Sequence, residues 1–74
     1  MANRKRYWVV PSSGNWSVKF EQTVLSTHYL KSEAVAAGQK VAKANAPSQL
    51  TVQKQNGDFE YEYTYGDDPY PPKG

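Results

Sequence analysis

The chain has 74 residues, a formal net charge of +2, two tryptophans, six tyrosines and no cysteine. A chain of this size forms one domain and buries only about 60% of its unfolded surface, and the lack of cysteine excludes disulfide staples and thiolate metal centres. No apolar run approaches the roughly 18 residues that span a bilayer, and the basic opening MANRKRYWVV has no signal-peptide core, so the sequence reads as a cytoplasmic protein without a membrane partner.

The modest net charge hides an asymmetry. Residues 1–54 hold eight Lys or Arg against two Glu, and residues 55–74 hold one Lys against five acids. A basic body with an acidic end suits either a polyanion or the opposite end of another molecule. In chain order, residues 1–5 read as a flexible basic leader, 6–65 as a single α+β domain, and 66–74 as a proline-rich C-terminal tail.

Residues 7–10 are aromatic and β-branched, and Pro11 is expected to stop this first strand. A five-residue loop, 11–15, then leads to a second strand over 16–21. This loop length places Trp8, Val10, Trp16, Val18 and Phe20 on one side, with Tyr7, Val9, Ser17, Lys19 and Glu21 on the other. Residues 24–30 mix apolar and polar side chains on both faces and read as an edge strand.

The segment 32–45, SEAVAAGQKVAKAN, is the helix. At 100° per residue, Ala34, Val35, Ala37, Gly38, Val41, Ala42, Ala44 and Asn45 share one half of its circumference, and Ser32, Glu33, Ala36, Gln39, Lys40 and Lys43 share the other. Its buried face is shallow, so the sheet has to supply the bulk. Ser32 is the expected N-cap, and Pro47 ends the helix by disfavouring helical geometry at Ala46. Residues 50–54 and 59–65 flank Asn56-Gly57, which signals a hairpin with a type I′ turn. Counting back from it pairs Lys54 with Phe59, Gln53 with Glu60, Val52 with Tyr61, Thr51 with Glu62 and Leu50 with Tyr63. The expected architecture is an antiparallel sheet of about five strands, in the order β-β-β-α-β-β, packed against one helix.

Several short stretches together carry a resemblance: Val9-Val10-Pro11, Gly14-Asn15-Trp16, Glu33-Ala34-Val35, Ala46-Pro47-Ser48-Gln49-Leu50, Asn56-Gly57 and the closing YGDDPYPPKG. From Tyr7 onward the chain resembles a family of small uncharacterised bacterial proteins that end in a YG-D-PYPPKG-like tail. The resemblance implies a bacterial or phage origin and a compact single domain, and it supplies no catalytic or binding residues. The chain departs from the family pattern at Leu30, where a small capping residue is expected, and at Tyr61 and Tyr63, where charged residues are commoner.

Enzymatic chemistry needs a nucleophile with a base, paired carboxylates, a metal cluster or a cofactor loop. His28 is the only histidine, Asp67 and Asp68 are too few oxygen ligands for calcium, and Glu60 with Glu62 reads as a wet strand face. The glycines are scattered and form no phosphate loop. These residues point to no catalytic site, no metal and no cofactor. The sequence reads instead as an interaction module for a protein partner or a second copy, using Thr27 and Tyr29 at the edge strand or the Pro69, Tyr70, Pro71 and Pro72 tail. The alternative is nucleic-acid binding through Arg4, Lys5, Arg6, Lys40 and Lys43, where cations draw phosphates and neighbouring rings can stack on bases.

Overall fold

A computed structural model describes residues 4–66. Its elements are β1 (Lys5–Ser12), β2 (Asn15–Phe20), β3 (Thr23–His28), α1 (Lys31–Ala44), β4 (Ser48–Gln53) and β5 (Phe59–Tyr65). Lys5, within the span read as a leader, already belongs to β1. The strands form one sheet in the order β3-β2-β1-β4-β5, with β1 and β4 parallel and every other neighbouring pair antiparallel. The sheet is therefore mixed, which corrects the expectation of an antiparallel one. Parallel neighbours need a crossover of a dozen or more residues. After the β1-β2-β3 meander, α1 carries the chain back so that β4 runs alongside β1 in the same direction.

The first hairpin also differs from its sequence reading. Pro11 does not stop β1: Pro11 pairs with Trp16 and Ser12 with Asn15. The pairing of β1 with β4 ends at Val9, so Pro11 lies where β1 has a neighbour on one side only, a position that a proline can occupy. The turn is thus two residues, Ser13 and Gly14, both at positive φ (50° and 83°), as a type I′ turn requires. Shortening the loop shifts the register and reverses which side of β1 faces inward. Tyr7 and Val9 join Trp16, Val18 and Phe20 beneath the helix, and Trp8 and Val10 turn to the open face.

At the second hairpin only Gly57 takes positive φ (93°), so Asn56-Gly57 does not form the expected type I′ turn. Gly57 N donates to Lys54 O at 2.8 Å, Lys54 N to Asp58 O at 2.7 Å, and Asp58 N to Asn56 Oδ1 at 2.9 Å. This is a three-residue loop closed by a left-handed glycine. Leu50–Tyr63, Thr51–Glu62 and Val52–Tyr61 pair as expected, but Gln53 meets Phe59 rather than Glu60. Glu60 is the extra residue of a β-bulge. A second bulge leaves Leu25 of β3 unpaired between Val24 and Ser26.

Leu30, not Ser32, is the helix N-cap, and it provides no side-chain cap bond. The helix buries Ala34, Gly38 and Ala42, all small, so the sheet comes close beneath it. Val9, Val18, Leu50 and Val52 fill the contact, each fully or almost fully buried and each contributing about 1.5–3 kcal/mol. At the far end of the helix the buried Ser48 hydroxyl donates to Ala42 O, tying the start of β4 to the last turn.

Candidate functional site

The sheet has two free edges, and their chemistry differs. β5 carries Glu60 and Glu62, charges of the kind that deter a further strand from pairing. β3, with sequence TVLSTH, has neither an acid, a lysine nor a proline. Its side chains are open to solvent: Val24 is 54% exposed and Leu25 45%, and Tyr29, just beyond the strand, is 78% exposed. Leu30, the residue before α1, is exposed as well. Thr27, predicted as an edge contact, is also exposed. Thr27 and Tyr29 are thus both exposed in or just beyond β3, as are Val24, Leu25 and Leu30, which sequence reading missed. Strand alternation alone could not flag them, because the Leu25 bulge breaks it.

A second feature lies between α1 and β5. Tyr61, Tyr63 and Tyr65 alternate along β5 toward the helix and are half-buried. Their ring centroids are 5.4 Å apart for Tyr61–Tyr63, edge to face, and 6.3 Å for Tyr63–Tyr65, stacked. Burial, then the neighbouring Tyr63, raises the Tyr61 phenol above its usual pKa. Opposite the rings the helix presents Gln39, Lys40 and Lys43 across the small side chain of Ala36. The resulting hollow, about 560 Å³, neighbours another of about 480 Å³ beside Lys31 and Tyr61; Ala36 and Gln39 line both.

The basic residues singled out in the sequence divide among three places. Lys40 and Lys43 stand on the groove. Arg4 donates to Ser48 O and Tyr65 O, at 3.3 and 3.2 Å, and so bridges β4 and β5. Lys5 pairs with Ser48, in the row that ends at Tyr65, while Arg6 pairs with Gln49 on the open face that also carries Trp8 and Lys19. The five cations therefore lie apart: Lys40 and Lys43 on the groove, Arg4 bridging β4 and β5, Lys5 in the Ser48–Tyr65 row and Arg6 on the open face. Pro69, Tyr70, Pro71 and Pro72 lie outside the described residues.

His28 Nε2 lies 2.9 Å from Ser26 Oγ. A base within reach of a hydroxyl is half of a nucleophilic arrangement, but no carboxylate among the described residues bonds the imidazole. The pair sits on the β3 edge, two residues apart on one face. Glu60, with the bulge turning it toward the helix, forms an ion pair with Lys31, whose ammonium lies 5.2 Å from the Trp16 ring centroid. Glu62 instead stands across from Thr51 on the open face. The two glutamates consequently do not share a strand face. Among the described residues, no three His, Asp or Glu side chains gather as metal ligands, and no helix is long and apolar enough to cross a membrane.

No curated protein and no solved structure matches the chain. A family model described as an uncharacterized protein conserved in bacteria (DUF2188) matches residues 7–65, which takes in both hairpins, the helix and every strand apart from Lys5 and Arg6 at the start of β1. With most of its length matched, the chain belongs to this bacterial family.

Proposed function

We propose that the chain is a non-enzymatic interaction module that associates with a second copy of itself by pairing β3 with β3 across a two-fold axis. The supporting observation is the uncharged edge strand itself, with Val24 and Leu25 exposed beside its free backbone groups. Such an edge is a template for another strand. Self-pairing suits it because an antiparallel partner presents the same apolar strip in reverse, giving the self-complementary contact of a cyclic dimer. The small core adds a thermodynamic reason: association adds buried apolar area to a fold with little of its own. A cytoplasmic setting is part of this proposal.

Sedimentation equilibrium over a wide concentration range tests it. The protein should dimerise, and association should resist salt because apolar contact and backbone pairing drive it. Leu25→Lys places a charge on the edge at an exposed position and should weaken dimerisation at least about tenfold, equivalent to 1.4 kcal/mol. A protein that stays monomeric at high concentration, or a Leu25→Lys variant that dimerises like the parent, would overturn the reading. Thr27→Pro is a second probe, with circular dichroism used to confirm that β3 still pairs with β2.

A further inference from the structure

We infer that the groove between α1 and β5 binds single-stranded nucleic acid, with Lys40 and Lys43 meeting phosphates and the exposed parts of Tyr63 and Tyr65 meeting bases. This inference does not rest on β3 pairing, which involves the opposite edge of the sheet.

The argument begins with charge. None of the side chains lining the two hollows is a carboxylate, and the cations there are Lys31, Lys40 and Lys43. Lys31 is engaged by Glu60. Lys40 and Lys43 form no ion pair among the described residues, and both are exposed. Beside them, Gln39 offers an amide donor and each tyrosine a hydroxyl donor. Away from the Lys31–Glu60 pair, the Lys40–Lys43 end is a wall of donors and cations that complements a polyanion.

The opposite wall narrows the choice of polyanion. Tyr63 and Tyr65 are nearly parallel (22°) and offer two ring faces to flat ring systems, with Tyr61 edge-on to Tyr63 beside them. Basic grooves lined with aromatic side chains hold single strands without needing a particular sequence, because every base has a π-face. An acidic peptide would satisfy the lysines and leave the ring wall without a planar partner. A duplex would keep its bases stacked inside the helix and out of reach of the tyrosines. The gap at Ala36 is what leaves the two walls apart, since a larger residue there would fill the space that both hollows share.

The test is fluorescence anisotropy of a labelled oligothymidylate about twelve nucleotides long, titrated with the full chain at low salt. Binding should weaken with salt at a logarithmic slope of about −1.4, that is about −0.7 for each of two phosphates neutralised. Lys40→Gln with Lys43→Gln should reduce affinity at least about tenfold and flatten the slope toward zero. Ala36→Leu, at an exposed helix position where leucine is nearly as good a helix former as alanine, should block binding with the lysines still present. Arg6→Gln with Lys19→Gln, on the open face, should change affinity less than about twofold, as should Leu25→Lys, which separates this result from the behaviour of the β3 edge. Polyglutamate of similar length should bind at least about tenfold more weakly than the oligonucleotide, because it has no rings to stack. Absence of oligonucleotide binding, loss in the open-face double variant with the groove variants unaffected, or equal binding of polyglutamate would each overturn the inference.

Discussion

A Cβ atom added to Gly38 would lie 3.0 Å from Leu50 Cδ1 and 3.2 Å from Val9 Cγ2. Both neighbours are fully buried, so neither can swing away freely. The missing side chain is therefore what allows α1 to settle on β1 and β4, at a local cost in helix propensity of about 1 kcal/mol. Gly38→Val should destabilise the fold by about 1–3 kcal/mol in chemical denaturation, through overpacking. Ser48 makes a related point with polarity. Its fully buried hydroxyl bonds Ala42 O, and Ser48→Ala should cost about 0.5–1.5 kcal/mol, softened because Asn45 N also donates to that carbonyl at 3.1 Å. Tyr7 and Tyr61 set an alkaline limit. Burial holds both phenols above the usual value of about 10, so unfolding releases their protons more readily. Their contribution is complete below pH of about 10 and is lost as pH rises through the folded-state values. Thermal melts should show stability falling over that alkaline range, with a shallower fall in Tyr61→Phe.

At the scale of elements, the sequence was most informative where one periodicity acted alone. The helical faces were legible from 3.6-residue spacing: Ala34, Gly38 and Ala42 are buried, and Lys40 and Lys43 are exposed as expected. Ala44, assigned to the inner face, is exposed because the helix ends there and the chain departs toward β4. Strand faces were less legible, since they depend on turns. A five-residue loop sets Trp8 and Val10 on the side of Trp16, Val18 and Phe20, whereas the two-residue turn sets Tyr7 and Val9 there. The β4–β5 register survived a wrong turn type only because the Glu60 bulge absorbed the difference before Tyr61. Neither bulge has a local sequence marker. The parallel β1–β4 pair was also hidden, being a consequence of where the crossover lands and of no residue pattern in either strand. The groove is legible in part: the sequence singles out its lysines, while Tyr61 and Tyr63 stand there only as strand partners of Val52 and Leu50, with nothing to set them opposite Lys40 and Lys43. Arg4 was grouped with ligand-binding cations, although it holds two strands by their carbonyls. Arg4→Ala should accordingly speed amide exchange in Thr64 and Tyr65 several-fold in a hydrogen-exchange measurement, with little change at β2 and β3.

Over the whole molecule, sheet order sets how the two proposed contacts relate. β3 and β5 are opposite edges, so a dimer joined at β3 becomes a ten-stranded sheet whose grooves lie at its outer margins. Nine inter-strand steps of about 4.8 Å put them roughly 43 Å apart before twist is counted. A single strand long enough to reach both grooves should bind the parent protein more tightly than two separate short strands, and should lose that advantage in Leu25→Lys; anisotropy with oligothymidylates of increasing length reads this directly. The central place of β1 has a different consequence, in the order of synthesis. Lys5 through Val9 emerge from the ribosome before the other strands, yet one flank of this strand is completed by Ser48 through Val52, made roughly forty residues later. Until then β1 is an open edge of the nascent meander, with Tyr7 and Val9 still missing Leu50 and Val52 as neighbours. A chain halted before Ser48 would therefore be an adhesive fragment lacking the middle of its core, and the cell receives a folded product only when translation has passed β4.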